Sequence, residues 1–351
     1  IDNITVLFTS GATESNCAII RSCVESYWNI AKKIPHIIIS VIEHHSIIDC
    51  CEYLVKMRTI ELTKINVDHR GIILVDEYEN SFQPNTCLVS IMTANNELGT
   101  IQNIKMIGNI ADKKKVPFHT DAVQIFGKER ILMDDYNVDA LSASFHKFNG
   151  CKGLGLLIIK NTLIKGYDLH PIIHGTQQHH LRGGTENIPS IASGMTSLRL
   201  AFTDRKKKNA YLLSIRNELL KLLKGKFKIG NTEKYLTKTD NAKNNCILIL
   251  TPLEDNYAIP NILLISMVGN TVDFCNVKCK AYLDKHGIIV SISSACLTTS
   301  KYASHVITAI NAPDVVKKGI LRISWEDSTR IEDIKTFVNV LATFCEKIKF
   351  I

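Results

Sequence analysis

Residues 142–150 read SASFHKFNG and set Lys147 between a histidine and a phenylalanine, where a strand-like alternation runs into a turn. A lysine in such a place has two uses. It is either a solvated loop cation or an amine kept nucleophilic for Schiff-base chemistry, and the second use needs small neighbours, a turn and an electron-sink cofactor. The choice rests on whether the chain also supplies a phosphate cradle, an acid for a ring nitrogen and a flat group to stack on a ring.

Each of these follows a strand-like stretch. FTSGATESN (8–16) turns through Ser10 and Gly11 and opens a helix, whose free N–H groups and Thr13 hydroxyl suit an anion. FHTDAVQIFGK (118–128) puts Asp121 just after a strand, where a carboxylate can keep a pyridine nitrogen protonated, although taken alone it reads first as the cap of a following helix. IEHHSIID (42–49) brings His44 and His45, either of which can lie flat on a ring. TANNELGT (93–100) brings Asn95 and Asn96, amides suited to a phenolic oxygen or a substrate carboxylate. Each stretch alone has an ordinary structural reading. Their joint occurrence assigns Lys147 to pyridoxal phosphate, held as a Schiff base.

The elements that position these residues have the rhythm of βαβ units. ITVLFTS, HIIISV, CLVSIMT, VPFHT and DALSAS alternate with helical stretches, which predicts an α/β fold, a mostly parallel sheet with helices on both faces and ligands at the strands' carboxyl ends. From about Leu212 the pattern becomes a lysine-rich amphipathic helix, scattered strands and a final helix. A capping box from Thr329 to Glu332 is expected to open that helix, with Ile331, Ile334, Val338, Leu341 and Phe344 on one face. The expected division is a cofactor-binding domain over 1–204 and a smaller α+β domain over 205–351.

At 351 residues, 45% hydrophobic and 22% charged, the composition is that of a globular protein. Runs such as HIIIS and CILIL fall far below the roughly 20 residues of a membrane span, so no membrane segment is expected. The net charge of +8 concentrates only at DRKKK (204–208), read as a polar helix face or linker. No aromatic-interleaved basic stripe argues for nucleic acid. Eleven cysteines read as reduced intracellular thiols, and Cys275 with Cys279 lacks the second pair of a metal site, so no metal is expected.

The motif order resembles that of the NifS/IscS-like cysteine desulfurases, in the class V aminotransferase branch of fold type I pyridoxal phosphate enzymes. TSGATESN looks like the family's phosphate loop, which implies Ala12 and Thr13 as phosphate contacts. EHH resembles its TEH element, so His44 would stack on the ring and take part in catalysis. ANNELG is similar to its VNNEIG, turning Asn96 toward cofactor and substrate. HTDAVQ resembles HVDAxQ, giving Asp121 to the pyridine nitrogen and Gln124 to the phenolic oxygen. SASFHK looks like the SxHK element, which places Ser144 and His146 on the phosphate and makes Lys147 the Schiff-base lysine. LRGGTEN implies that Thr185 reaches the phosphate of a second subunit, hence a homodimer. SSACLTTS resembles GSACTS and makes Cys296 the nucleophile, while LRIS makes Arg322 the grip on the substrate carboxylate.

The resemblance therefore implies L-cysteine as substrate, alanine as product and a persulfide on Cys296 that passes to an acceptor such as an iron–sulfur scaffold. The expected compartment is the cytoplasm, with the mitochondrial matrix as the alternative. The family usually begins several dozen residues upstream of the equivalent of Ile1. Departures include Gln178 and His180 where the family has an acid and a glycine, Trp325-Glu326-Asp327 after the arginine motif, and Cys151 for a proline. Two other readings stay open: a selenocysteine lyase or another class V lyase or aminotransferase, and a non-catalytic interaction protein that kept the fold.

Overall fold

The computed structural model describes residues 3–236, 245–254, 257–269, 274–292 and 304–351. The chain divides into two units: Ile1–Asn66, Ile73–Asn95 and Gln102–Arg205 form one, and Val67–Ile72, Asn96–Ile101 and Lys206–Ile351 the other.

In the first unit β1 (Ile4–Thr9) leads into helix α1 (Ala12–Ala31), followed by β2 (His36–Ser40), α2 (His45–Lys56), β3 (Glu61–Ile65), α3 (Val75–Asn80), β4 (Thr86–Ser90), α4 (Ile104–Lys113), β5 (Phe118–Asp121), β6 (Ala140–Ser144), β7 (Gly155–Lys160), α5 (Asn161–Tyr167) and α6 (Ile188–Phe202). The seven strands form one sheet in the order β1-β7-β6-β5-β4-β2-β3. The run β6-β5-β4-β2-β3 is parallel, and β7 is antiparallel to both β6 and β1. Two reversals return β1 to the direction of β6, so the carboxyl ends of β1, β2, β4, β5 and β6 share one edge. The central strands are buried along their whole length because helices cover them: Ile19, Ile20 and Cys23 of α1 and Ile47 and Cys51 of α2 pack with Ile37, Ile39, Leu88 and Leu157 of the sheet.

The five strands read from the sequence are present in the expected mostly parallel sheet, and β3 and β7 join them. β7 matters to the site. Its first residue, Gly155, is in register with both Thr9 and Ser144, and a Cβ there would lie 2.5–2.6 Å from the backbone of Gly11. Only glycine lets the loop after β1 sink that close to the strand.

The second unit contains α7 (Arg205–Lys226), α8 (Thr232–Leu236), β8 (Cys246–Ile249), β9 (Ile262–Val268), α9 (Asn276–Lys285), α10 (His305–Ala309), α11 (Asp314–Lys318), β10 (Ile320–Ser324) and α12 (Ile331–Lys347). Its strands form an antiparallel sheet, β10-β9-β8, against which α7 lays Leu212, Ile215, Leu219 and Leu223 at helical spacing. α7 starts at Arg205, earlier than the expected Leu212, so the basic run DRKKK is largely its first turn. The apolar face of α12 is the expected one, except that Ile331 is exposed. The cap is not the expected one. Arg330 is the N-cap, its backbone N–H donates to Asp333 Oδ2 (2.9 Å) and its guanidinium pairs with Asp333 Oδ1 (2.8 Å), while Thr329 Oγ1 accepts from the backbone of Glu326 (3.1 Å). An aspartate at the third helical position displaced a box read from Thr329 and Glu332.

Candidate active site

The turn bearing Lys147 is a single 3-10 turn, Phe145–Phe148, continuing from β6. With three residues per turn, positions i and i+3 eclipse, so Phe145 and Phe148 point to the same side and His146 and Lys147 to the other. Both phenylalanines are buried, with ring centroids 5.1 Å apart, and both polar residues are exposed. Asn149 in the left-handed region and the Gly150 N–H bonded to Phe145 O (2.8 Å) end the turn. Gly194 of α6 brings that helix flat onto Phe145, where a Cβ would clash at 2.8 Å. The alternation S-F-H-K-F thus anchors two aromatic rings and leaves the amine outward.

The loop after β1 opens a 20-residue helix whose N-cap, Gly11, carries no side-chain cap, so its first N–H groups face outward beside Ala12 and an exposed Thr13. Ser10 N–H donates to Glu14 Oε2 (2.7 Å), and Glu14 in turn pairs with Arg182 (2.9 Å). That pair holds the carboxyl of Glu14 below its ordinary value against the effect of burial, and ties LRGGTEN to the loop at 8–16. Gln178 explains its own departure from the family pattern. Its amide accepts from Phe8 N (2.7 Å) and donates to Phe8 O (3.0 Å), closing the free edge of β1 as a strand neighbour would. Thr185 is exposed just before α6.

Asp121 ends β5 and is buried; no helix follows it, and its Oδ1 accepts from Val123 N (3.0 Å) in a tight turn. Burial raises its pKa, which the Val123 and Asn16 donors and the nearby His44 and Lys147 oppose. Gln124 is half-buried on the same turn, and its carbonyl accepts from Lys128 Nζ (2.8 Å). Lys128 was not anticipated: burial, with the charge of Lys147, lowers its amine to about 8. Ser144 Oγ and His146 Nδ1 lie 2.8 Å apart at the end of β6.

His44 caps α2, its Nδ1 accepting from Ser46 N (3.1 Å); burial lowers its pKa. Of the adjacent asparagines, Asn95 is wholly buried and its Nδ2 donates to Ile42 O (3.0 Å), so it holds the chain before His44. Asn96 is half-buried, and in the second unit its carbonyl accepts from Arg322 Nη1 (3.0 Å). Arg322 sits on β10, paired through its backbone with Ser291. Cys296 lies outside the described residues.

Two buried groups were also unforeseen. His119, between Ser90 (2.8 Å) and Ser142 (2.9 Å), is pushed down to about 3 by burial and is neutral. Glu43 accepts from Met92 N (2.9 Å) and Ser40 Oγ, and burial pushes its carboxyl from 4.5 up to about 8. The folded protein therefore holds the Glu43 proton more tightly than the unfolded chain. Its stabilising effect is full below about 4.5 and is lost as pH rises through about 8. Glu43→Gln should remove this dependence. The stability difference between parent and variant should change by up to about 1.4 kcal/mol per pH unit across that window, read by denaturant unfolding. Parallel pH profiles for the two proteins would refute it.

A lysine turn, a buried acid, a ring-sized imidazole and a helix N-terminus along the carboxyl edge of a mostly parallel sheet make up the architecture of fold type I pyridoxal-phosphate-dependent transferases. Residues 2–337 match the family described as "Aminotransferase class-V". A curated cysteine desulfurase IscS from Dictyoglomus turgidum is 34% identical over 349 residues, covering 99% of this chain and 80% of the relative. Cysteine desulfurase IscS from Methanosarcina thermophila is 35% identical over 98% of this chain and 78% of its own length. A solved NifS-like protein superposes with a TM-score of 0.81 at 30% identity, covering 97% of this chain and 82% of that one. The chain belongs to the class-V aminotransferase family, whose members depend in general on pyridoxal phosphate. Among the described residues no helix is long and apolar enough to cross a membrane.

Proposed function

We propose that this protein is a cysteine desulfurase that converts L-cysteine to L-alanine and carries the sulfur away as a persulfide on Cys296. The observation that carries the reading is the pairing of β5 with β6: adjacent parallel strands deliver a buried, doubly hydrogen-bonded acid and an outward lysine at the same edge. The near full-length match to curated desulfurases sets the substrate class.

The residues present suit pyridoxal phosphate. The uncapped N-terminus of α1 with Ala12 and Thr13, together with Ser144 and His146, would take the phosphate. Gly155 keeps open the close approach that a Cβ would fill. Asp121 would face the ring nitrogen, Gln124 and Asn96 the phenolic side, and His44 the ring plane. When bound, the cofactor supplies an electron sink for the substrate's α-carbon.

Lys147 takes the covalent attachment and, once free, holds and moves the α-proton. Asp121, fixed in place by the Val123 and Asn16 donors, would share a proton with the nitrogen it faces and keep that nitrogen charged. Arg322, aided by Asn96, binds the substrate carboxylate through its planar guanidinium. The Cys296 thiolate attacks the substrate sulfur: one S–S bond forms, the C–S bond breaks, and the carbon takes a proton to become the methyl of alanine. The sum, cysteine plus thiol giving alanine plus persulfide, needs no external oxidant.

A homodimer with Thr185 serving the partner's phosphate accords with α6, which follows Thr185 and exposes Ile188, Met195, Leu200 and Phe202 while burying only Gly194. The persulfide's acceptor is a sulfur-receiving protein such as an iron–sulfur scaffold. The test is to incubate the purified chain and pyridoxal phosphate with cysteine and a thiol reductant. Alanine and sulfide in equal amounts, from a species sedimenting as a dimer, are expected. Pyruvate and ammonia in their place would mean a different lyase.

A further inference from the structure

The acid and the imidazole of the site are joined through two residues that lie within the motifs but carry no role there. Asn16, wholly buried on α1, places Nδ2 2.8 Å from Asp121 Oδ2 and 2.9 Å from Ser46 Oγ. Ser46, in the first turn of α2, places the same Oγ 2.9 Å from His44 Nδ1, and its backbone N–H lies 3.1 Å from that nitrogen.

Donor directions follow from the chemistry of each group. Opposite an ionised Asp121 the Asn16 amide turns Nδ2 to the carboxylate, since the flipped amide would set Oδ1 against it. Nδ2 then gives one proton to Asp121 and the other to Ser46 Oγ. A backbone N–H can only donate, so His44 Nδ1 is an acceptor and the ring's proton sits on Nε2. The Ser46 hydroxyl, having accepted from Asn16, gives its own proton to the same Nδ1. The chain of donation is fixed: Asn16 to Asp121, and Asn16 to Ser46 to His44.

Packing alone does not account for Asn16. Its Oδ1 is buried with no hydrogen-bond partner, a net cost that an apolar side chain of the same size would avoid. The amide is therefore kept for its two protons.

We propose that Asn16 and Ser46 are positioning residues that couple Asp121 to the orientation and Nε2–H tautomer of His44. The inference deepens the pyridoxal phosphate reading and rests on it for its catalytic meaning, though the coupling itself belongs to the protein without cofactor. The charged groups that act on His44 are Asp121, Lys147, His45 and Asp49, and all of them stay in place in the variants below.

The test compares parent, Asn16→Leu, Ser46→Ala, the double variant and Ser46→Thr, each checked for an unchanged fold by thermal melting. In cofactor-free protein, imidazole nitrogen NMR, with the His44 signal identified by its loss in His44→Gln, should find the parent ring as the Nε2–H tautomer. Ser46→Ala should raise the His44 titration midpoint by roughly half a unit or more, the scale of one hydrogen bond. Ser46→Thr should restore it, and Asn16→Leu should move it only while Ser46 is present. With pyridoxal phosphate bound, the pH midpoint of its visible absorption should shift non-additively in the same cycle. An Nδ1–H ring, or strictly additive shifts, overturns the proposal. A chain that binds no cofactor but passes the NMR test overturns the cofactor reading alone.

Discussion

Lys147→Arg will lose cysteine turnover by several orders of magnitude while keeping the fold and the positive charge beside Asp121 and His44. An arginine preserves the field those groups feel, so loss in this variant isolates the nucleophilic amine from the cation. The direct measurement is borohydride reduction of the cofactor-loaded protein, followed by peptide mapping. The parent should carry the reduced adduct on the peptide containing Lys147, and the variant should carry none. The site contains its own rival: Lys128 is a half-buried amine that burial brings to about 8, which also makes it a competent Schiff-base lysine at neutral pH. The geometry favours Lys147. Lys128 is turned back onto the Gln124 carbonyl, whereas Lys147 projects outward from a turn anchored by two buried rings. Label found on Lys128 would sink the assignment whatever the activity of the variant.

The strand ends were legible because they carry two signals at once. β2 and β4 carry apolar runs of strand length, and the small or polar residues after them interrupt the periodicity where the chain must turn. β3 and β7 were not legible. ELTKI is a half-exposed edge strand with charged residues, and GLLIIK follows a glycine-rich stretch that reads as loop; both are strands only because neighbours pair with them. The same division runs through the candidate site. Residues that would face the cofactor sit in motifs at strand ends and could be placed by type and spacing. Asn16, Ser46, Glu43 and His119 could not, since each matters through a contact made only after α1, α2 and the sheet pack. A buried asparagine inside ATESNCAII has no sequence mark that separates it from an exposed one. Nor does Glu43, beside the two histidines that drew the reading, carry any sign that burial will keep it protonated.

Cys296→Ser will stop alanine release from cysteine and leave cofactor binding intact. Cys296 lies in SSACLTTS, apart in sequence from every residue assigned to the cofactor, so the exchange keeps size and polarity and removes one atom with one task. Serine cannot replace it, because an alkoxide forms at a far higher pH than a thiolate and an oxygen–sulfur bond is a poor store for transferable sulfur. Loss of a covalent nucleophile costs several orders of magnitude in rate, well beyond what a changed fit would produce. The measurement pairs two readouts on the same sample: the change in visible absorption when cysteine is added, and alanine released per enzyme over time. The first should persist, since the proposed roles give that step to Lys147, Asp121 and Arg322 and not to Cys296. The second should fall to background, and the persulfide found by mass spectrometry on the parent's Cys296 peptide should be missing. Alanine released at near the parent rate would remove the desulfurase assignment. Failure on cysteine with retained turnover of selenocysteine would replace it with a lyase, because a selenium leaving group departs without a protein thiol to receive it.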